Sequence, residues 1–182
     1  MNPYLKGEKI NLRRIHKSDA ESIQANGNDK DVTRYLFTPY PYTMEHAYSF
    51  VRASHRMYRK ETGYPLGIEH KETKQIIGLI GLYRVDHING FAETGFWLGK
   101  RYWRKGYTKE AVILTLRFAF EDLDFHRIYA RAFKPNTASI KLIEKLGFVH
   151  EGTLRKHVYK YGRYMDMHFY GMLKEEFNKL FE

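Results

Sequence analysis

Apolar and polar positions along the chain switch between a period near two and a period near 3.6, and the switches divide it into elements. Residues 5–14 read as a strand, and Ser18, Asp19, Ala20 and Glu21 form a capping-box pattern that predicts a helix running toward Gln24. A short helical segment is expected over residues 29–36, after which Pro39 and Pro41 force a loop. Thr43 can cap the next helix, in which Met44, Ala47, Tyr48, Val51, His55 and Tyr58 recur at helical spacing until Thr62 and Gly63 stop it. Strand-like runs at 65–70, 75–85 and 91–99, separated by turns at 71–74 and 87–90, predict an antiparallel meander. Residues 109–122 are apolar on most sides through Ala111, Val112, Leu114, Leu116, Phe118 and Ala119, which predicts a buried helix. A strand at 126–133, a loop opened by Pro135 and Asn136, and a helix at 138–146 closed by Gly147 complete a βαβα half attached to the antiparallel half. The expected fold class is α/β, of the α+β kind.

Composition narrows this picture. A chain of 182 residues, 43% hydrophobic and 16% aromatic, suits one domain spanning residues 1–182 with a sizeable core. No apolar run approaches the roughly 20 residues of a membrane span, and the first residues do not resemble a secretory signal, so a cytoplasmic location without membrane contact is expected. The absence of cysteine excludes disulfides, thiolate-bound zinc and an acyl-cysteine intermediate. The nine histidines show no ligand spacing, and no metal is expected. Lys and Arg exceed Asp and Glu by 31 to 21, and the net charge of +10 fits a phosphate-rich ligand, an acidic protein, nucleic acid, or simply a solvated surface.

One segment sharpens the choice. Gly106 lies just before the buried helix and permits close backbone approach, where the first N–H groups have no intrahelical partner and the helix dipole adds positive charge. Arg101, Arg104, Lys105 and Lys109 surround it, so an anion site is plausible on physical grounds alone. Residues 92–99 followed by Trp103, Arg104, Lys105, Gly106, Tyr107 and Thr108 resemble the cofactor motif of the GNAT N-acetyltransferases, in the RimJ/RimL-like branch. Asn136, Thr137, Ala138 and Ser139, then Leu142 and residues 144–148, resemble the second cofactor segment of that family, and residues 162–177 resemble its closing segment. The three segments stand in the family's order and together span essentially the whole chain.

The resemblance implies a GNAT fold: a central twisted mixed sheet, helices on both faces, and a V-shaped splay between two parallel strands that holds acetyl-CoA. It places the pantetheine arm along the backbone of Phe96, Trp97 and Leu98, the pyrophosphate on the turn from Trp103 to Thr108, and the pantetheine amides near Asn136, whose side chain could equally make a structural turn. Thr108 replaces the family's usual small residue and Arg104 stands where the branch often has glycine. Glu93 is the leading candidate for general base, with a purely structural carboxylate as the other reading. Many relatives carry a tyrosine as proton donor to the thiolate where this chain has Ile143, so Ser139 is the substitute candidate, with helix capping as its alternative. The expected activity is transfer of the acetyl group from acetyl-CoA to a primary amine, most readily a protein N-terminal α-amine, with an acidic N-terminus suited to the basic chain. A polyamine or aminoglycoside acceptor, or a non-catalytic ribosome- or RNA-binding module on the same fold, are the alternatives. Nucleic-acid contact through Tyr159 to Tyr164 lacks a recognised motif, and a homodimer is compatible with the sequence.

Overall fold

The computed structural model describes residues 2–181. Its strands are β1 (Tyr4–Lys6), β2 (Ile10–Arg13), β3 (Gly63–His70), β4 (Ile76–Asp86), β5 (Phe91–Leu98), β6 (Arg127–Phe133), β7 (Val149–Lys160) and β8 (Arg163–Leu173). Its helices are α1 (Ala20–Gly27), α2 (Lys30–Thr33), α3 (Met44–Lys60), α4 (Tyr107–Arg117), α5 (Thr137–Lys145) and α6 (Lys174–Phe181). The strands form one eight-stranded sheet in the order β1-β2-β3-β4-β5-β6-β8-β7. Among these pairs β5 and β6 run parallel and the others antiparallel.

Strand alternation sorts side chains between the two faces. Ala92, Phe96 and Leu98 of β5 and Ile128, Ala130 and Ala132 of β6 point into the main core. There they meet Val112 and Leu116 of α4, Ile143 of α5 and Phe177 of α6. The intervening Trp97 points to the other face, where Ile23 of α1 and Ala47 and Val51 of α3 pack over Leu79. The long apolar run in β4 is explained by this burial on both sides.

The central pair positions everything that follows. Pairing between β5 and β6 ends at Thr94 opposite Ala130. Beyond that point β5 stays beside β4 as far as Leu98, and β6 stays beside β8 as far as Phe133. The two strands therefore diverge from Gly95 and Arg131 onward, giving the splay that the resemblance implies.

Local chemistry moved several boundaries. The strand expected over residues 5–14 is two antiparallel strands, because the chain reverses where Gly7 N–H donates to the Ile10 carbonyl at 3.0 Å. Ser18 does not cap α1. Asp19 instead accepts the His16 N–H at 2.7 Å and is gripped by Arg13 at 2.8 Å, so that a 3₁₀ turn over Lys17–Asp19 precedes the helix. Arg13 also reaches Glu69 of β3 at 2.5 Å, tying β2, β3 and the start of α1 together in a nearly buried network. The helix expected over 109–122 begins at Tyr107 and widens after Arg117 into a π turn, Phe118–Asp122, which buries both Phe118 and Phe120. Thr43 does cap α3, accepting the His46 N–H, and the helix ends where Glu61 turns left-handed at φ 55°.

Candidate active site

The turn from β5 into α4 is shaped by two left-handed residues, Arg104 at φ 63° and Gly106 at φ 85°. Nothing crowds a Cβ at Gly106 closer than Lys9 Nζ at 3.7 Å, so glycine is needed there for its backbone angle and not for space. The first bond of α4 is Glu110 N–H to the Gly106 carbonyl at 3.1 Å, and among the described residues no side chain caps the helix. The N–H groups of Tyr107, Thr108 and Lys109 are thus presented at the positive end of the helix dipole. Lys9 adds a cation that the sequence did not associate with this turn. Its ammonium donates to the Lys105 carbonyl at 3.4 Å, and its backbone N–H donates to Glu110 at 3.0 Å, fixing β2 against the head of α4.

The open edge of β5 leads from the fork to this turn. Gly99 N–H donates to the Ile77 carbonyl at 2.8 Å, and antiparallel alternation then makes Trp97 and Leu79 the next hydrogen-bonded pair. The main-chain groups of Phe96 and Leu98 consequently face the gap, whereas those of Trp97 are engaged with β4. Trp97 therefore departs from the sequence expectation: its indole packs against Gly27 and borders the gap, while its backbone cannot pair with a pantetheine arm. The Leu98 carbonyl is also occupied, by the Trp103 indole N–H at 2.7 Å. Trp103 thus braces the turn against the end of the strand.

A cavity of about 630 Å³ runs along this edge. Phe96 and Leu98 line one wall, with Trp103, Arg104, Gly106, Tyr107 and Thr108 at the end next to the head of α4. Asn136 and Ser139, from the start of α5, line the opposite wall across the splay. Lys105 is the exception in the turn: its ammonium lies 5.8 Å from the Tyr102 ring and it does not line the cavity. Tyr107 is held by its hydroxyl at 3.1 Å from His70 Nε2. Asn136 caps α5 by accepting the Ser139 N–H at 3.4 Å, so the capping role belongs to Asn136, and Ser139 is among the residues that line the cavity. Ile143, one turn further on, is buried in the core.

Glu93 sits just below the fork, on the face of β5 opposite α4. Its carboxylate is held by three side chains. Arg131 Nε and Nη2 each reach Oε1 at 2.9 Å, Arg84 Nε reaches Oε2 at 3.2 Å, and the Tyr129 hydroxyl donates to Oε2 at 3.4 Å. Burial, with the nearby carboxylate second, raises the pKa of both Tyr129 and Tyr83, so both phenols stay neutral at physiological pH. The sequence showed Glu93 as a charge isolated in its own strand. Neighbouring strands supply the arginines, and the signals in the chain were charged residues within strand-like runs, at position 84 and at position 131.

The other mouth of the cavity is formed by Asp31, Val32, Arg34, Tyr35 and Leu36, around α2. Asp31 bonds Arg34 at 2.6 Å and Lys100 at 2.7 Å, and Lys160 of β7 donates to the carbonyls of Thr33 and Leu36. Phe37 then folds over Phe133 at 5.4 Å between ring centres, with Arg131 5.6 Å from the Phe37 ring. One end of the cavity therefore offers helix N–H groups and cations to an anion, and the fork offers a polarising backbone edge beside a charged cluster.

Known proteins are similar to this chain in sequence and in fold. Residues 9–149 match the family model described as an acetyltransferase (GNAT) domain. The chain is 33% identical over 174 residues to the uncharacterized N-acetyltransferase YoaA of Bacillus subtilis, covering 96% of this chain and 98% of that protein. It is 28% identical to the putative ribosomal N-acetyltransferase YdaF of the same organism, over 93% of each chain. It is 25% identical to a spermidine N(1)-acetyltransferase of Vibrio cholerae, over 87% of this chain and 90% of the other. A solved GNAT-family acetyltransferase from Bacillus anthracis superposes with a TM-score of 0.85 at 25% identity, covering 96% of this chain and all of that one. With the splayed strands, the glycine turn and the family match in agreement, the chain belongs to the GNAT family and is an acetyl-CoA dependent N-acetyltransferase.

Proposed function

We propose that the protein acetylates the α-amine of a polypeptide N-terminus. Acetyl-CoA supplies the activated thioester. The N–H groups of Tyr107, Thr108 and Lys109, with Arg104 and Lys9 alongside, suit its pyrophosphate, and the open main chain of Phe96 with the Leu98 N–H suits the pantetheine arm. Asn136 borders that arm from α5. In the reaction the acceptor nitrogen bonds to the thioester carbonyl carbon as the carbon–sulfur bond breaks. An N–H of the Phe96 to Leu98 edge stabilises the carbonyl oxygen, Glu93 takes the amine proton through water, and the Ser139 hydroxyl donates a hydrogen bond to the leaving sulfur.

The observation that favours an α-amine is the commitment of Glu93 to Arg131, Arg84 and Tyr129. An α-amine, with a reference pKa of about 7.7–8.0, is already partly neutral near physiological pH and asks little of such a carboxylate. An alkylamine with a pKa of about 10.4, as on lysine or a polyamine, must first lose a proton that is several hundredfold harder to remove. Thiol release from acetyl-CoA, measured across N-terminal peptides, spermidine and an aminoglycoside, tests the reading. Peptides should be the best acceptors, and a preference for spermidine or the aminoglycoside would reject it.

A further inference from the structure

We infer that the acceptor carries negative charge beside its amine, and that Arg84 and Arg131 read it. This rests on the proposed position of the acceptor at the fork. Two carboxylates of this region are each held by two cations. Glu93 lies between Arg131 and Arg84, and Asp31 between Arg34 and Lys100. Asp29 accepts the backbone N–H groups of Asp31 and Val32 at the head of α2. A polycation entering here would have to compete with Arg84 and Arg131 for Glu93 and with Arg34 and Lys100 for Asp31.

An anionic group meets the opposite situation. Arg84 contributes one nitrogen to Glu93 and leaves the rest of a 67% exposed side chain toward solvent. Its backbone is left-handed at φ 50°, at the bulge where the pairing of β4 with β5 shifts between Tyr83 and Asp86, which turns this residue out of the regular ladder. Arg131 is 16% exposed and is aligned by Glu93 below it and Phe37 beside it. With its Nε and Nη2 turned to Glu93, a guanidinium held this way keeps its Nη1 donors in a fixed direction for a second carboxylate. A peptide whose second or third residue is Asp or Glu places such a group within side-chain reach of its α-amine.

The test compares two peptides that differ only in having Asp-Glu or Lys-Arg after a common N-terminal serine, with spermidine as a third acceptor. Binding to the protein–CoA complex is followed by titration calorimetry and transfer by thiol release. The acidic peptide should bind and react about tenfold better than the basic one, with an advantage that shrinks as salt is raised. Arg84→Glu should reverse the order of the two peptides without weakening CoA binding. Equal or tighter binding of the basic peptide or spermidine to the wild-type protein would overturn the inference. If the acidic peptide binds more tightly yet is not acetylated, the charge reading stands and the N-terminal acceptor falls.

Discussion

Replacing Gly106 by alanine isolates the contribution of one backbone angle to cofactor binding. At φ 85° an L-residue is strained, and the nearest atom to the new Cβ is the end of a flexible lysine at 3.7 Å, so the cost is conformational and not steric. Holding a non-glycine residue in the left-handed region costs about 1–2 kcal/mol. For a chain of this size that lowers Tm by roughly 2–8 °C. If the free protein relaxes the turn, the N–H groups of Tyr107 and Thr108 turn away from the cavity, and CoA must restore them on binding. Affinity should then fall by about five- to thirtyfold, the same free energy expressed as Kd. Gly162, at φ 74° with no atom within 4 Å of an added Cβ, is the control because it lies at the β7–β8 turn. Gly162→Ala should lower Tm by a similar amount and leave CoA affinity unchanged. Titration calorimetry with CoA on both variants reads the difference. A Gly106→Ala protein that keeps the wild-type Tm, and so has relaxed the turn, yet binds CoA as tightly as the wild type would refute the assignment of the turn as the pyrophosphate seat.

Other outcomes follow from the same geometry. Arg13→Met leaves Asp19 and Glu69 nearly buried without their shared cation and should cost about 3–5 kcal/mol in urea unfolding. Burial pushes the Asp19 carboxyl up, but Arg13 and the His16 N–H outweigh it, so its folded pKa lies below the unfolded value. The wild type should therefore keep this stabilisation above about pH 4 and lose it as pH falls through the lowered folded pKa, and Arg13→Met should flatten that acid limb. Glu93→Gln should lower kcat on an α-amine acceptor by about 100-fold while CoA affinity is retained, as measured by thiol release and calorimetry. Ser139→Ala should lower kcat with KM for acetyl-CoA little changed, and helix α5 should stay intact by circular dichroism because Asn136 provides its cap.

Elements whose ends are fixed by nearby residues were legible in the sequence. Thr43 capping α3 and Gly147, left-handed at φ 92° just after α5, act locally, and both stood where the pattern put them. Elements governed by distant partners were not. The start of α1 depends on Arg13 of β2 gripping Asp19 while Glu69 of β3 holds the same guanidinium. The site divides along the same line. The glycine turn, the Phe96 to Leu98 edge and Asn136 lie in short contiguous motifs and are readable from the order of residues alone. Trp97's engaged backbone and the ion cluster around Glu93 arise from pairing between β4, β5 and β6, which no local pattern contains. Lys9 and Lys160 likewise reach the site from far along the chain, at the head of α4 and at the α2 mouth.

A crystal structure with acetyl-CoA bound tests the central claim most directly. The account requires the pyrophosphate within hydrogen-bond distance of the Tyr107, Thr108 and Lys109 N–H groups, and the thioester at the fork between Gly95 and Arg131, close to Glu93. A cofactor bound elsewhere, or with its phosphates away from the head of α4, would contradict it.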